Sequence, residues 1–334
     1  MKVLVWGAGP VGLFLGATLA RSGSDVVFWG RPSVLAPLQG GFAWQQHGLV
    51  QRVGPLAAVY SAEQALAAGP FDAVLVTFKA WHNATAQEAI AALAGFPLLV
   101  LQNGIGNEES FARLAPVVWS GVLTSSAYWQ EAGCLHVGRG GLGLAVGPGE
   151  RSQQQASGLQ ALGQTWRQAG LPVRFYPDYR AMKWSKLLLN NLGNPLSAAL
   201  GLPPRQYLQS APGVWLERTL LAEMLALVRT QGLPLVNLPG FPVRVLPLLR
   251  RFPASLWRKL VGGGRGGKLP SLLLDRQAGR PLDREVLLEI PARLGRQQGL
   301  SLPLLERLGQ ILATGSFVTP DQLFQEMQQA RPPR

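Results

Sequence analysis

The sequence is poor in the residues that build disulfide frameworks and metal clusters. Its 334 residues include one cysteine, Cys134, and only three histidines. A single cysteine excludes a disulfide within the chain and a multi-cysteine metal site, and the widely separated histidines lack metal-ligand spacing. We therefore expect no metal ion and a reducing, cytoplasmic setting.

Long hydrophobic runs are also missing. The richest apolar stretch, residues 89–101, is short and contains Gly95 and Pro97. Because a membrane span needs about 18 or more apolar residues, we expect none. The apolar run after Met1 is interrupted at once by Gly7, which favours folded structure rather than a signal peptide at the N-terminus.

Acidic residues are scarce, since 18 Asp and Glu stand against 31 Lys and Arg and give a net charge of +13. The basic residues are spread along the chain, with one local cluster between Arg244 and Lys268. This cluster lacks the interleaved aromatic side chains of a groove for single-stranded nucleic acid. We therefore expect a basic surface that attracts anionic cofactors and substrates rather than nucleic acid.

Short apolar runs alternate with helical periodicity in the first half of the chain. The alternation predicts a parallel sheet covered by helices on both faces. The predicted strands are residues 2–6, 26–29, 73–77, 97–101, 117–122 and 173–176, with a hairpin at a sheet edge over 134–146. The predicted helices are residues 11–22, 62–68, 84–93, 108–114 and 153–168.

From Asp178 onward the pattern changes to long helical periods with almost no strand signal. The predicted helices are residues 179–200, 214–231, 243–260, 283–298 and 303–313. The sequence therefore predicts a doubly wound α/β domain over residues 1–177, followed by an all-α domain over residues 178–330.

The turn after the first strand is rich in glycine. The hexad Gly-Ala-Gly-Pro-Val-Gly from Gly7 to Gly12 fits G-x-G-x-x-G, follows a strand and opens a helix, which is the context that makes this pattern specific. Gly7 permits the tight turn, Gly9 lets the backbone approach a pyrophosphate, and Gly12 lets the helix pack on the strand. With Pro10 and Val11, which complete the turn, they predict a Rossmann-type dinucleotide-binding site at a helix N-terminus.

The residue after the second strand distinguishes NAD from NADP. An NAD enzyme usually places Asp or Glu there for the ribose hydroxyls, whereas this chain has Arg31 after Gly30. An arginine can pair with the 2′-phosphate of NADP, which a carboxylate would repel. Asp25 lies at the start of the strand, too early for this role, so the sequence favours NADP(H).

Four motifs give the chain a resemblance to the ketopantoate reductase (2-dehydropantoate 2-reductase) family, and this resemblance extends over most of the chain. The last of the four contains Lys186 followed by Asn190 and Asn194, and a Lys with Asn at +4 and +8 marks the family's active site. The motifs are the glycine turn with Gly30-Arg31, Thr77-Phe-Lys79-Ala-Trp81, Gln102-Asn103-Gly104 and the segment from Trp184 to Leu196.

The spacing of this last motif has a physical meaning of its own. Residues four apart on one continuous helix advance by about 40° per step, so Lys186, Asn190 and Asn194 would line one face. An ammonium and two amides on one face suit a polar ligand with carbonyl and carboxylate oxygens.

The resemblance implies a role for each of these residues. Lys186 would donate a proton to a substrate carbonyl while NADPH delivers hydride to its carbon. Asn190 and Asn194 would hold hydroxyl and carboxylate groups of the substrate. Asn103 would help to seat cofactor and substrate, and Lys79 would face the cofactor.

The resemblance continues toward the C-terminus with departures. Ser271 matches the family's substrate-binding serine, and Asp283 stands where the family has a glutamate that contacts the substrate. Aspartate keeps the charge but is one methylene shorter. Leu288 and Glu289 replace the usual Asn and Gly, and Glu285 or Glu289 are alternatives for the carboxylate role.

The sequence thus predicts an NADP-dependent oxidoreductase that reduces 2-dehydropantoate to pantoate in pantothenate biosynthesis. The departures around Asp283 leave open a related reductase of another oxo acid or an imine, and a non-catalytic NADP(H)-binding regulator is the second alternative. The expected partner is a small oxo acid, without nucleic acid or membrane, and the expected state is a monomer or homodimer.

Overall fold

The computed structural model of the protein describes residues 1–131, 133–249, 252–262 and 269–330. The chain divides into two compact units. The N-terminal unit contains Met1–Gln102, Gly106–Lys183 and Asn237–Phe241, and the helical unit contains Asn103–Ile105, Trp184–Val236 and Pro242–Arg334. The predicted functional division at residue 177 stays a prediction.

An eight-stranded sheet forms the centre of the N-terminal unit. The strands of this unit are β1 (Lys2–Trp6), β2 (Asp25–Trp29), β3 (Phe42–Gln46), β4 (Leu49–Val53), β5 (Ala57–Val59), β6 (Ala73–Val76), β7 (Leu98–Val100), β8 (Val118–Leu123), β9 (Ala127–Glu131), β10 (Cys134–Val137), β11 (Leu142–Val146) and β12 (Val173–Phe175). The order in the large sheet is β12-β11-β8-β7-β6-β1-β2-β5. All neighbours are parallel except β8 and β11.

The remaining strands form a second, four-stranded sheet in the order β4-β3-β10-β9. The predicted edge hairpin over residues 134–146 is therefore wrong, because β10 pairs with β3 and β9 while β11 belongs to the large sheet. Gly140 lies in the connection with φ of 147°, and a Cβ there would clash with the backbone of Ser125. Gly140 thus serves a close backbone approach rather than a hairpin turn.

Helices cover both faces of the large sheet, which confirms the predicted doubly wound α/β fold. Val3 and Val5 lie in one core with Leu13, whereas Leu4 and Trp6 lie in the other. Strands that are buried on both faces have continuous apolar sequences. The short apolar runs in the sequence therefore indicated this arrangement. The helices are α1 (Pro10–Arg21), α2 (Pro32–Leu35), α3 (Ala62–Ala67), α4 (Gln87–Ala92), α5 (Asn107–Ala112) and α6 (Ala156–Gln168), with 3-10 turns at Ala36–Leu38 and Ala80–His82.

In the described part of the C-terminal half, the regular secondary structure is helical apart from one isolated bridge between Leu238 and Phe241, which confirms the predicted helical fold of this half. Its first helix, α7, begins in the N-terminal unit and continues into the helical unit. The helices are α7 (Tyr179–Asn191), α8 (Asn194–Leu200), α9 (Pro204–Tyr207), α10 (Ala211–Thr230), α11 (Leu246–Leu249), α12 (Ala254–Trp257), α13 (Ser271–Gln277), α14 (Ile290–Gln297), α15 (Pro303–Thr314) and α16 (Pro320–Gln329).

Three predicted helices are interrupted. The helix predicted over residues 179–200 is two helices, because Gly193 lies between α7 and α8 with φ of 73°. The helix predicted over 243–260 is a 3-10 turn at Val243–Val245, then α11 and α12, with Pro253 directly before α12. The helix predicted over 283–298 opens as a π-helical turn at Glu285–Glu289, next to Pro291, which has no N–H for a regular helical bond.

The expected lack of a membrane span and the basic cluster between Arg244 and Lys268 can be compared with the structure only for the described residues. Within the described ranges, no helix combines the length and the apolar character that crossing a membrane requires. The basic cluster between Arg244 and Lys268 includes residues 250–251 and 263–268, which lie outside the described residues. The described remainder of the cluster includes exposed Arg258 and Lys259.

Candidate active site

The turn between β1 and α1 brings glycine backbone into close contact with its surroundings. Gly7 has φ of 118°, and a Cβ there would clash with the backbone of Phe78. A Cβ at Gly12 would clash with the carbonyl oxygen of Gly7, so glycine is what allows α1 to approach β1 this closely. The hydroxyl of Thr77 donates to the same Gly7 oxygen at 2.7 Å and fastens the turn to the end of β6.

The backbone at Gly9 is open where its neighbours are crowded. Among the described residues, leaving out the two chain neighbours of Gly9, no atom lies within 4 Å of the position that a Cβ would take there. Gly9 is also the N-cap of α1, no side chain caps this helix, and Pro10 occupies the first helical turn. The N–H groups of Val11 and Gly12 therefore have no acceptor in their own helix. An open, uncapped helix N-terminus fits the pyrophosphate of a dinucleotide.

Strands β6, β1 and β2 are neighbours and end at the same edge of the sheet. Arg31 follows β2 and is exposed, and its side chain has no hydrogen-bond or ion-pair partner among the described residues. Lys79 follows β6 and is also exposed. The strand order reverses between β1 and β6, which is where open α/β sheets bind ligands. The structure thus places the glycine turn, Arg31 and Lys79 at one edge.

A buried ion pair that sequence reasoning missed lies in the N-terminal unit. The Lys183 ammonium is 2.9 Å from Glu108 Oε1, and the two side chains are 3% and 1% exposed. The ammonium also donates to the carbonyl oxygen of Gln102 at 2.6 Å, and the Ser120 hydroxyl donates to Glu108 at 2.7 Å. Through Lys183, the ion pair therefore fixes the backbone carbonyl of Gln102, the residue that precedes Asn103.

Amide side chains extend this buried network. Gln102 Nε2 donates to the Phe78 carbonyl oxygen and to Asn83 Oδ1, and Asn83 Nδ2 donates back to Gln102 Oε1. Asn83 Nδ2 also donates to Asn107 Oδ1 at 2.9 Å. The sequence motif Gln102-Asn103-Gly104 pointed to this place. The hydrogen-bond partners of Gln102, however, lie 19 to 81 residues away along the chain.

In the helical unit, Lys186 and Asn190 lie on α7 one turn apart, and both are half-buried. Asn190 Nδ2 donates to Asn103 Oδ1 at 3.2 Å. Gly104 follows with φ of 84°, and a Cβ there would lie 2.5 Å from Cβ of Val286, while the Ile105 N–H donates to the Val286 carbonyl oxygen. These contacts hold Asn103 against the Lys186–Asn190 face of α7.

Asn194 does not share that helix. The expectation that residues 186, 190 and 194 line one face of a continuous helix is wrong for Asn194, because the break at Gly193 starts a new helix there. Asn194 is buried, its Oδ1 accepts from the N–H of Leu272 at 3.0 Å, and its Nδ2 lies 3.4 Å from the Ser271 hydroxyl. The structure thus brings Asn194 and Ser271 together at the start of α13.

The carboxylates near position 283 occupy different environments. Asp283 is 6% exposed, and its carbonyl oxygen accepts from the N–H of Leu287 in the π-helical turn. Glu285 is exposed, and Glu289 forms a half-exposed ion pair with Arg284 at 3.0 Å. Asp283 is therefore the only one of the three whose side chain is buried.

The residue types that bind metals are scattered in the part of the chain that the structure describes. There, no three His, Cys, Asp or Glu side chains gather closely enough to hold a metal ion. Cys134 is a half-buried free thiol on β10. His47 lies in the turn between β3 and β4 with φ of 53°.

Sequence models of one protein family match both halves of the chain. Residues 3–149 match the model described as "Ketopantoate reductase PanE/ApbA", and residues 178–315 match the model described as "Ketopantoate reductase PanE/ApbA C terminal". Together the two matches cover most of the 334 residues.

Several relatives carry the name 2-dehydropantoate 2-reductase. The protein of Mesorhizobium japonicum is 27% identical, and the match covers 92% of this chain and 95% of that protein. The protein of Archaeoglobus fulgidus is 29% identical over 59% of this chain, and the match spans 63% of that relative's length. The protein of Pyrococcus horikoshii is 27% identical, with 64% of its length matched.

Solved structures extend the likeness to the fold. The crystal structure of 2-dehydropantoate 2-reductase from Geobacter metallireducens GS-15 has a TM-score of 0.77 and 28% identity, over 95% of this chain and 100% of that chain. The PanE/ApbA family ketopantoate reductase from Ralstonia eutropha JMP134, at 24% identity, shares the fold with a TM-score of 0.76. The chain belongs to the ketopantoate reductase family.

Proposed function

We propose that the protein reduces 2-dehydropantoate to pantoate with NADPH. The named relatives support this activity. The observation that carries it is the hydrogen bond between Asn190 and Asn103, one helical turn from Lys186. It groups an ammonium and two amides, which are the donors that a 2-oxo acid needs for its carbonyl and carboxylate oxygens.

In this proposal, NADPH binds at the sheet edge formed by the ends of β1, β2 and β6. The open backbone at Gly9 and the N–H groups of α1 receive the pyrophosphate, and Arg31 pairs with the 2′-phosphate. Lys79 faces the cofactor from the end of β6. When bound, NADPH supplies a hydride to the carbonyl carbon. We assign residues 1–177 to cofactor binding and residues 178–330 to the substrate.

Lys186 is the proton donor of the proposed reaction. A lysine ammonium carries three N–H donors and can give up one of its protons. Its proton moves to the carbonyl oxygen, which becomes the hydroxyl of pantoate, and the cation stabilises the negative charge that develops there. The amine that remains takes a new proton from solvent before the next turnover.

The substrate is held by the polar groups of the helical unit. Asn103 and Asn190 bind oxygens near the reacting carbonyl, and Asn194 and Ser271 form a second polar pair for the hydroxyl and carboxylate groups. Asp283 is the carboxylate that contacts the substrate, and its burial supports this choice over exposed Glu285 and ion-paired Glu289.

The test is oxidation of NADPH followed by absorbance, with and without 2-dehydropantoate. We expect substrate-dependent oxidation that Lys186→Ala reduces by about a thousandfold or more, because general acid catalysis and charge stabilisation both depend on this ammonium. The dissociation constant of NADPH, measured by fluorescence, should stay within about twofold of the wild type because Lys186 is not among the cofactor residues.

The matched control is Lys259→Ala, which removes an exposed lysine of the helical unit and should leave turnover unchanged. Retained turnover in Lys186→Ala would refute the role of Lys186. A wild-type protein that binds NADPH but turns over other 2-oxo acids or imines would replace the substrate while keeping the cofactor. Binding without turnover of any of them would favour a non-catalytic NADP(H)-binding regulator.

The proposal also includes a cellular setting and an oligomeric state. The single cysteine and the small anionic substrate fit a protein that acts in the cytoplasm. We propose a monomer or homodimer, which sedimentation of the purified chain would distinguish. Neither nucleic acid nor membrane has a part in the proposed reaction.

A further inference from the structure

The break between α7 and α8 is held by a buried carboxylate. Gly193 adopts φ of 73° and ψ of −14° there, a left-handed conformation that favours glycine. Its N–H donates to Glu217 Oε1 of α10 at 2.6 Å. A helix interrupted in this way needs an external acceptor for the freed N–H, and Glu217 supplies it.

Glu217 is 0% exposed, and its second oxygen, Oε2, accepts from the hydroxyl of Tyr207 at 2.6 Å. Tyr207 is itself 1% exposed. A buried carboxyl group is costly unless its oxygens are hydrogen-bonded, and both oxygens of Glu217 accept hydrogen bonds here. One of these bonds comes from the backbone at the α7–α8 break, which indicates a geometric role.

The break separates two pairs of side chains that the proposed reaction uses. Asn190 lies three residues before Gly193 and bonds to Asn103, whereas Asn194 lies directly after Gly193 and bonds to Ser271 and the N–H of Leu272. A continuous helix would have placed Asn194 one turn above Asn190 instead. The conformation at Gly193 therefore sets where the Asn194–Ser271 pair lies with respect to Asn190.

We infer that Glu217 is a positioning residue for substrate binding. Through the N–H of Gly193 it holds the α7–α8 break, and so it places the Asn194–Ser271 pair for the substrate. It touches neither substrate nor cofactor. This inference rests on the proposed function, because it assigns a purpose to the site that the reaction uses.

The test compares KM for 2-dehydropantoate in Glu217→Leu, Glu217→Gln and the wild type. Leucine fills similar volume but offers no acceptor, so KM should rise about tenfold, the size of one lost hydrogen bond in the bound state. Glutamine can accept from Gly193 and donate to the Tyr207 oxygen, so its KM should stay within about twofold. The dissociation constant of NADPH should not change in either variant.

A double-mutant cycle with Ser271→Ala separates positioning from general loss of stability. If Glu217 acts through the Asn194–Ser271 pair, Ser271→Ala should raise KM much less in Glu217→Leu than in the wild type. If the two substitutions raised KM independently, so that the increase in the double variant equalled the product of the single increases, the inference would be overturned. If Glu217→Leu does not fold, Tyr207→Phe removes the other hydrogen bond to the carboxylate and enters the same cycle.

The matched control is Glu223→Leu on the same helix. Glu223 also accepts from backbone, from the N–H groups of Leu304 and Leu305, but at the start of α15 rather than at the α7–α8 break. Its loss should lower the melting temperature without raising KM. An equal rise of KM in both leucine variants would overturn the inference. A wild type without 2-oxo-acid turnover would instead refute the proposed function, and with it the purpose given to Glu217.

Discussion

At the scale of single residues, the proposed preference for NADPH over NADH depends on one exposed side chain, Arg31. Arg31 follows β2 at the sheet edge and has no partner among the described residues, so its guanidinium is available to a 2′-phosphate. We expect Arg31→Ala to weaken NADPH binding about tenfold to a hundredfold, because a charge-assisted hydrogen bond contributes roughly 1.5–3 kcal/mol. Affinity for NADH, which lacks that phosphate, should change little. Fluorescence titration of both cofactors measures this.

The control for Arg31 is another exposed arginine of the N-terminal unit. Arg52 lies on β4 of the four-stranded sheet, so Arg52→Ala lowers the net charge equally without touching the proposed cofactor edge. Equal losses of NADPH affinity in the two variants would show that general charge, and not pairing at Arg31, attracts the cofactor.

Candidate residues next to a strand end could be named from the sequence, and contacts between distant residues could not. The glycine turn and Arg31 stand out because each lies next to its own strand end, and their roles stay predictions. The ion pair of Lys183 with Glu108 joins residues 75 positions apart in the sequence numbering, and nothing local distinguishes a buried lysine from an exposed one. Spacing alone therefore missed the buried network around Gln102.

At the scale of secondary-structure elements, the β1–α1 turn contains two glycines that are needed for different reasons. Gly12 is needed for packing, whereas Gly9 leaves open space and has φ of −76°, which alanine adopts without strain. We expect Gly12→Ala to destabilise the protein by about 2 kcal/mol or more, since helix and strand must move apart. Gly9→Ala should change stability by less than about 1 kcal/mol and still weaken NADPH binding at least tenfold.

Urea unfolding without cofactor and NADPH titration together check this pair of variants. Each serves as the control for the other, because both add the same methyl group to the same turn. If Gly9→Ala kept full NADPH affinity, the pyrophosphate would not approach the backbone at Gly9. If Gly12→Ala unfolded at the wild-type urea concentration, the clash at the Gly7 carbonyl oxygen would be relieved by a small shift.

Helices and strands were predicted well where the local residue propensity and the pattern of buried residues favour the same structure. They were predicted poorly where a contact with a distant residue determines the conformation. Six of the eight strands of the large sheet were predicted because they are apolar and short, whereas β5 was missed and β11 was assigned to a hairpin. The break at Gly193 was not, because the acceptor that stabilises it, Glu217, lies on another helix. Likewise, the glycines before β11 matched a hairpin, although the chain there passes from one sheet to the other.

At the scale of the whole molecule, the class of fold followed from the order of patterns, but the site did not. Strand–helix alternation followed by helices predicts the two parts of the fold. The proposed substrate site contains two pairs of side chains. The hydrogen bonds of these pairs, Asn194–Ser271 and Asn103–Asn190, join residues 77 and 87 positions apart. Such contacts depend on packing of the complete chain, so the sequence could name these residues but could not give their pairing.

The stability of the whole molecule should depend on pH through one buried carboxyl group. Burial raises the pKa of Glu223 to about 7 from an ordinary value of 4.5, although the N–H groups of Leu304 and Leu305 favour its charged form. Below the unfolded pKa the group is neutral in both states. As pH rises toward 7 the unfolded chain ionises first, so the stabilising contribution of the buried neutral carboxyl is lost.

We therefore predict that Glu223→Gln gains stability relative to the wild type as pH rises from about 5 to 8. The change in the difference should be on the order of 3 kcal/mol, because each pKa unit corresponds to about 1.4 kcal/mol. Urea unfolding of both proteins at several pH values measures it, and groups common to both cancel. Glu326→Gln, which alters a half-exposed ion pair with Arg307, should show a nearly constant difference over the same range. A constant difference for Glu223→Gln as well would mean that this carboxyl ionises near its ordinary pKa in the folded protein, so that its two backbone hydrogen bonds balance the effect of burial.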